Sequence, residues 1–415
     1  MKRYLYLLMA TLLVVTMSEL QTAGMMPYMA ADLGVSTGTI GLLVSVYALG
    51  MALGGPVVAI GLRGLPPRRA LCLVVGAYAV FEILAPVAHE FWWLALIRVL
   101  TGCLAGAMFG LCISFGARLA PSPDRIGQNV SIVMSGLMVG TVVGLPVSHF
   151  IAEQWNWQTS FYILGAAALV ICLIDRLGLP SVEPASEESS TQDAQALRKP
   201  ALWARYLVSL LTIGATYGAF SYFTPLLEQN AGFSAGATTL ILLAYGVCTV
   251  IGNLIVGRFA DKHAIAVLRL GHALVFIALV ILGLFNHLPA ITLPFVLVIG
   301  LVGVTMNPAL ITRVVEVGGS GNLVSTVHTA VITSGVMVGT AISALTINLT
   351  GDDPAAAMWT GAILAVLAAI VLATQVKTRT TRTASDMDTA VASSSPSPRR
   401  ESGQAPASHR RNGTR

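Results

Sequence analysis

Nine stretches of this chain contain no Asp, Glu, Lys or Arg: residues 33–62, 99–117, 126–152, 154–174, 206–227, 229–257, 270–312, 317–351 and 354–376. A helix needs roughly 20 mostly apolar residues to cross a bilayer, because it rises about 1.5 Å per residue through a hydrocarbon core of about 30 Å. No soluble core requires so many such runs. The chain is 10% charged, against roughly 25% for a soluble domain. The pattern implies an all-α, polytopic membrane protein. A β-barrel is excluded, because its strands would alternate apolar and polar residues in short segments.

Turn signals divide the runs into twelve predicted spans: 5–28, 40–61, 70–88, 92–114, 128–151, 159–175, 204–226, 237–257, 266–286, 290–312, 323–348 and 355–376. The run 270–312 is too long for one helix, and "FNHLPA" at 285–290 marks its break. Lys2 and Arg3 before an apolar run resemble a signal peptide. Glu19, the missing cleavage-like site and the later spans make this stretch the first span instead. The loops after spans one, three, five, seven, nine and eleven hold no Lys or Arg. Basic residues gather on the cytoplasmic side of membrane proteins. Both termini are therefore expected in the cytoplasm. The net charge of +5 reflects this bias and a basic tail. The basic residues are not interleaved with aromatics, so no nucleic acid is implied. Cys72, Cys103, Cys112, Cys172 and Cys248 all fall in spans, without metal-ligand spacing. They read as small packing residues.

The chain also repeats itself. "SGLMVGT" from Ser135 returns as "SGVMVGT" from Ser334, an offset of 199 (334 − 135). Pro27, Gly34, Ser36, Gly38 and Tyr47 recur as Pro225, Gly232, Ser234, Gly236 and Tyr245, 198 positions later (225 − 27). The chain thus reads as two six-span halves in the same orientation, 1–179 and 201–377, a parallel repeat about an axis along the membrane normal. The polar, Ser- and acid-rich stretch 180–200 reads as a cytoplasmic linker, and 378–415 as a disordered cytoplasmic tail.

Four segments carry a family resemblance. "MSELQTAGMMPYMAADLGVSTGTIGLLVSVYALG" (17–50), "RGLPPRRAL" (63–71), "LIRVLTGCLAGA" (96–107) and "SGLMVGTVVGLP" (135–146) stand in order on the appropriate spans. Together they resemble the twelve-span drug:proton antiporters of the major facilitator superfamily, in particular the arabinose-efflux-permease-like and chloramphenicol-resistance exporters. The resemblance implies two six-helix halves and a proton gradient as energy source, with no cofactor. It also implies that the span-five motif is a hinge and leak seal, and that the charges after spans two and eight form an inner gate. Those charges are Arg63, Arg68 and Arg69, and Arg258, Asp261 and Lys262. Positive-inside bias accounts for most of them without a gating role. The first-half loop lacks the acid that the second half keeps as Asp261. Trp157-Gln158 stands where the group often shows Trp-Arg.

Ionisable residues inside spans are candidates by cost alone, about 2.5–3.5 kcal/mol each at the bilayer centre on insertion scales. Glu19, Glu82 and Arg98 qualify. Counted in helical rises, they reach a similar depth, so either carboxylate can pair with Arg98. Spacing does not choose between them, and the resemblance favours Glu19 as proton carrier. Gly136, Gly140 and Gly144 form a GxxxG stripe for close helix packing. Pro146 removes a backbone N–H and should bend the helix. The second copy keeps Gly335 and Gly339 without the proline. Met25, Met26, Tyr217, Phe220, Tyr222, Phe223, Asn307 and His328 are expected to line a substrate cavity, on spans that line it in the fold resembled or as polar intramembrane groups. As core or helix-capping residues they would need no ligand.

The reading is a monomeric, proton-coupled exporter of small amphipathic, antibiotic-like compounds, in contact with the lipid bilayer. The alternative is an efflux permease for a sugar or other polar metabolite. A membrane-embedded enzyme or sensor is disfavoured: no GxxxxGK[ST], HExxH or GxSxG occurs. The topology is testable by thiol labelling. Asn156→Cys should react with an impermeant reagent on intact cells, and Ser189→Cys only after permeabilisation.

Overall fold

The computed structural model describes residues 2–62, 64–122, 125–180, 195–319 and 321–393. Arg63, positions 181–194 of the stretch read as a linker, and residues 394–415 lie outside these. One compact unit spans Met1–Leu372, and a second begins at Ala373 and is helical to Ser393.

Every regular element among the described residues is helical. In chain order they are α1 (Lys2–Leu33), α2 (Thr37–Gly61), α3 (Pro67–Leu84), α4 (Phe91–Arg118), α5 (Ile126–Gln154), α6 (Trp157–Gly178), α7 (Pro200–Asn230), α8 (Ala235–Phe285), α9 (Pro289–Gly318), α10 (Leu323–Leu349) and α11 (Ala355–Ser393). Ten helices, all but α3, have the length and apolarity to cross a bilayer. The protein is a multi-pass membrane protein. Large apolar side chains point outward, among them Leu53, Val57, Trp92, Leu177 and Leu254. Lipid satisfies such a surface, because the helices have already paired their own backbone groups. The 51-residue α8 turns non-helical at His263. At 1.5 Å per residue it is about 76 Å long, more than twice the bilayer core. It occupies the sequence assigned to two predicted spans. Helix α11 runs on past the predicted end of its span at 376.

The repeat has a physical form. Gly34 and Gly232 adopt left-handed φ of 64° and 70°, a conformation that costs glycine nothing. Two residues later Ser36 and Ser234 accept from the N–H groups of Thr39 and Ala237, at 3.0 and 3.3 Å. Each serine thereby caps the next helix, α2 or α8.

The glycine stripes set helix spacing in both halves. A Cβ at Gly136 would overlap the Met9 carbonyl, one at Gly140 would meet Thr16 Cβ at 2.7 Å, and one at Gly144 would meet Met17 Cα at 3.1 Å. So α5 lies directly on α1. In the second half Gly335 faces the Leu210 carbonyl and Gly339 the backbone of Gly214, so α10 lies on α7 in the same way. Helix α5 stays helical from Ile126 to Gln154 through Pro146. A proline at 146 leaves the Val142 carbonyl without its usual i+4 donor. Gly246 of α8 packs against that carbonyl, where a Cβ would sit 2.8 Å from the oxygen. The halves meet here and where α2 packs on α10.

Gly136→Leu and Gly339→Leu should each lower the detergent melting temperature, since overpacking costs about 1–3 kcal/mol or more. Gly127→Leu, at a glycine with nothing within 4 Å, should leave it near wild type. Scanning calorimetry or a thermal-shift assay checks both.

Candidate functional site

Two glycines on α4 prepare the site. A Cβ at Gly102 would overlap the Tyr47 carbonyl, and one at Gly106 would lie 2.7 Å from the Met51 carbonyl. Their absence lets α2 approach α4 closely. The Tyr47 ring then lies under the Arg98 guanidinium, 4.1 Å from its centroid, a cation–π contact strengthened by exclusion of water.

Arg98 is fully buried. Its Nη1 donates to the Ser18 carbonyl at 3.1 Å and to Ser18 Oγ at 3.4 Å, and its Nη2 donates to the Glu19 carbonyl at 3.4 Å. The ion-pair partner of its guanidinium is Glu82 on α3, at 3.8 Å. Ser18 Oγ donates to Glu82 Oε1, and Gln21 Nε2 donates to Oε2 at 3.0 Å. Ser160 of α6 donates in turn to Gln21 Oε1 at 3.0 Å. Five helices of the first half thus converge on one buried polar knot: α1, α2, α3, α4 and α6.

The carboxylate of Glu19 is not in that knot. Successive helical residues point about 100° apart. Ser18 and Gln21, three apart, share the face toward Glu82, so Glu19 turns elsewhere. Its side chain lines a cavity between the halves with Leu20, Ala23, Val44, Tyr47, Ala48, Tyr217, Phe220, Ser221 and Val336. The pair open to either carboxylate in the sequence is therefore Arg98–Glu82, and Glu19 contributes its backbone carbonyl to Arg98. The cavity has room of about 10 Å³, about the space one water needs and far below the usual size of a ligand site. This conformation is contracted around it.

Of the residues expected in the cavity, Tyr217 and Phe220 line it. Met25 and Met26 are buried core. Tyr222 packs over Gly41 and donates to the Thr340 carbonyl at 3.3 Å. Phe223 packs edge-on against Phe220 and Tyr245. His328 stacks on Tyr206 and lies 2.9 Å from Ser209 Oγ, inside the second half. Asn307 opens the last segment of α9, after a break at Gly303 and a short 3₁₀ turn. These six are placed away from the cavity wall because depth along a helix was legible in the sequence and rotation about it was not. Arg68 donates to the Leu179 carbonyl at 3.1 Å. Arg69, Arg258, Asp261 and Lys262 are exposed.

Sequence reasoning missed Ser18, Gln21, Tyr47 and Ser160. Two of these, Ser18 and Gln21, lie within two residues of Glu19 on α1, which is the available signal. It also missed Asp175, buried in α6 and accepting from Thr11 at 3.1 Å.

Polar contacts between the halves cluster toward the face of Gly34 and Gly232. Ser45 and Thr340 hydroxyls lie 2.7 Å apart, and Thr224 donates to the Ala23 carbonyl at 3.0 Å. Asn253 of α8 also reaches the Met138 sulfur of α5, at 4.0 Å. A net of hydrogen bonds between the halves closes the cavity on the face of Gly34 and Gly232.

A model of the Major Facilitator Superfamily matches residues 7–325. A chloramphenicol resistance protein of Streptomyces lividans is 27% identical over 376 residues, covering 88% of this chain and 94% of that protein. An uncharacterized MFS-type transporter, YtbD of Bacillus subtilis (strain 168), is 27% identical over 360 residues, covering 85% and 90%. In fold, the chain is similar to a bacterial homolog of the human lysosomal transporter Spinster in an inward-facing and occupied conformation. That match has a TM-score of 0.71 at 16% identity and covers 90% and 96% of the two chains. It is also similar to the human organic anion transporter MFSD10 (TETRAN), with a TM-score of 0.62 at 16% identity and coverage of 89% and 99%.

The geometry separates the two carboxylates by their mutants. Glu82→Gln leaves Arg98 buried without its counter-charge, and breaking such a pair costs about 3–5 kcal/mol. It should lower the melting temperature markedly, and Arg98→Ala should do the same. Glu19→Gln should leave it nearly unchanged, because no partner of Arg98 is lost. Thermal unfolding of the three purified variants checks this.

Proposed function

The chain belongs to the Major Facilitator Superfamily, and from that premise we propose that it is a proton-coupled exporter of small amphipathic organic compounds in a bacterial inner membrane. The observation that carries this reading is the position of Glu19: a carboxylate on the wall of an aromatic cavity between two halves, beside a buried charge knot. The chloramphenicol resistance relative supports antibiotic-like substrates. The apolar walls, Leu20, Ala23, Val44, Tyr217, Phe220 and Val336, weigh against a sugar.

Counting α8 as two passes and α3 as one brings the ten helices to the twelve passes of the sequence reading. With the basic face in the cytoplasm, the hydrogen-bonded face is external. The conformation is then closed outside and contracted around the cavity. Arg69, Arg258, Asp261 and Lys262 await partners on the inner face, where the opposite state would join the halves.

In the cycle we infer, Glu19 takes a proton from outside while the cavity is open there. Neutralised, it no longer holds water in the cavity, and the halves close over it. On the inner side the proton leaves as substrate enters, so that one site serves both in turn. Arg98 is not released at any step. Glu82, Ser18 and the Tyr47 ring hold it, and it holds the α1 backbone beside Glu19 in place. The coupling is competition for one carboxylate, which needs access to water from each side in turn.

Purified protein in proteoliposomes with an imposed proton gradient tests this. Glu19→Gln should still bind a neutral substrate and exchange it, with uphill accumulation lost. If Glu19→Gln pumps at the wild-type rate while a folded Glu82→Gln does not, Glu82 carries the proton and the reading fails.

A further inference from the structure

Two of the contacts that close the hydrogen-bonded face start from positions on α5 and α10 that the repeat relates. At the end of α10, Asn348 Oδ1 accepts from Ser36 Oγ at 2.6 Å. One turn on, Asp352 accepts from the Thr37 hydroxyl at 2.6 Å and from the N–H groups of Thr37 and Gly38 at 3.2 and 3.3 Å. A carboxylate from one half thus caps the N-terminus of α2 in the other. The same offset of 199 carries Asn348 back to His149 (348 − 199) and Asp352 back to Glu153 (352 − 199). His149, on α5, also reaches across to the other half. Its Nε2 lies 2.8 Å from Glu228 Oε1 on α7, and its Nδ1 lies 2.8 Å from the Thr239 hydroxyl on α8. The imidazole is fully buried in this contact, and the Glu228 side chain is 18% exposed.

Equivalent positions therefore carry an asparagine in one latch and a histidine in the other. Asparagine does not titrate. Histidine changes charge between about pH 5 and 8. We propose that His149 and Glu228 form a proton-sensitive latch, which holds the two halves together on this face when the imidazole is protonated and loosens when it is neutral.

The chemistry follows from which atoms can donate. An ionised carboxylate only accepts, so Nε2 of His149 carries hydrogen in this contact. In the neutral ring Nδ1 then has a lone pair and accepts from the Thr239 hydroxyl. A proton from the aqueous phase on this face bonds to Nδ1, and the hydroxyl rotates to accept instead. No bond to carbon breaks and nothing is oxidised. The ring's positive charge now lies against the Glu228 carboxylate, making a charge-assisted hydrogen bond. When the halves part, both groups return to water and this attraction is lost. By linkage, whatever state holds the proton better is the state the proton favours. The other groups facing the imidazole are the Tyr28 ring of α1, edge-on at 5.6 Å, and Glu153 one turn on in α5 itself. The loops of this face contain no Lys or Arg, so no competing cation opposes the imidazolium. The inference rests on the proposed orientation only in calling this face external. Acid outside would then return the empty carrier to its inward-open side, the step on which proton uptake is meant to act.

The test reads conformation, not transport. Spin labels at Gln154→Cys and Gly236→Cys, in the full chain with its five intramembrane cysteines replaced, report separation of α5 and α8 on this face by pulsed electron resonance. In lipid nanodiscs the ratio of closed to open populations should rise about fivefold or more between pH 8 and pH 5.5, the scale of ordinary site-to-site coupling. In a Glu19→Gln background, where the cavity carboxylate no longer titrates, adding His149→Gln should make the ratio independent of pH in that window, and adding Glu228→Gln should reduce the shift while leaving histidine in place. Glu19→Gln alone should keep a pH-dependent shift carried by His149, which separates the latch from the coupling site in the cavity. A His149→Gln protein that shows the wild-type pH response overturns the latch. So does a response lost in Glu19→Gln and kept in His149→Gln.

Discussion

A guanidinium that touches no water has to find its counter-charge and its hydrogen-bond acceptors inside the protein, and Arg98 imposes that demand on most of the first half. An isolated buried charge costs far more than a folded protein can spare. The demand is met from four other helices: Glu82 from α3, the Ser18 and Glu19 carbonyls from α1, the Tyr47 ring from α2, and Ser160 of α6 through Gln21. The close spacing of α2 and α4 at Gly102, one turn from Arg98, brings Tyr47 into range. Packing and electrostatics are one device here, since a larger residue at 102 would move the ring off the charge.

The same knot explains why two neighbouring residues of α1 do different things. Ser18 is held to the knot, and that fixes the rotation of α1. With α1 fixed, Glu19 is turned to the gap between the halves, where its carboxylate is the acidic group of an otherwise aromatic and aliphatic wall. The stripe on α5 secures the other side of α1, through Gly136, Gly140 and Gly144. A helix held on two faces can present a third with little freedom, which the proposed coupling site requires.

Movement has to come from elsewhere, and the contacts between halves are of a kind that can be exchanged. They are hydrogen bonds between hydroxyls, amides and carboxylates on one face, with the backbone of Gly246 against the Val142 carbonyl within the membrane. Each is modest beside the buried pair of the first half, and each exchanges readily for water. An apolar core that draws residues from both halves, among them Leu43, Leu145, Phe223 and Ile347, packs beside these polar contacts.

Much of this was legible in the sequence because the membrane leaves few solutions. Uncharged runs of about 20 residues must be helices, since no other segment satisfies its backbone in lipid. The 198- and 199-residue offsets reflect two copies of one helix plan, down to the paired left-handed glycines and serine caps. The glycine stripes announced close packing, and Glu19, Glu82 and Arg98 announced a site by their cost. Helical rise also placed those three at a common depth. What composition and spacing do not encode is the rotation of each helix and the identity of its neighbour. Those depend on how all the helices pack together, so only the tertiary structure could give Arg98 to Glu82, turn Glu19 to the cavity, bury His328 within the second half and bring His149 against Glu228.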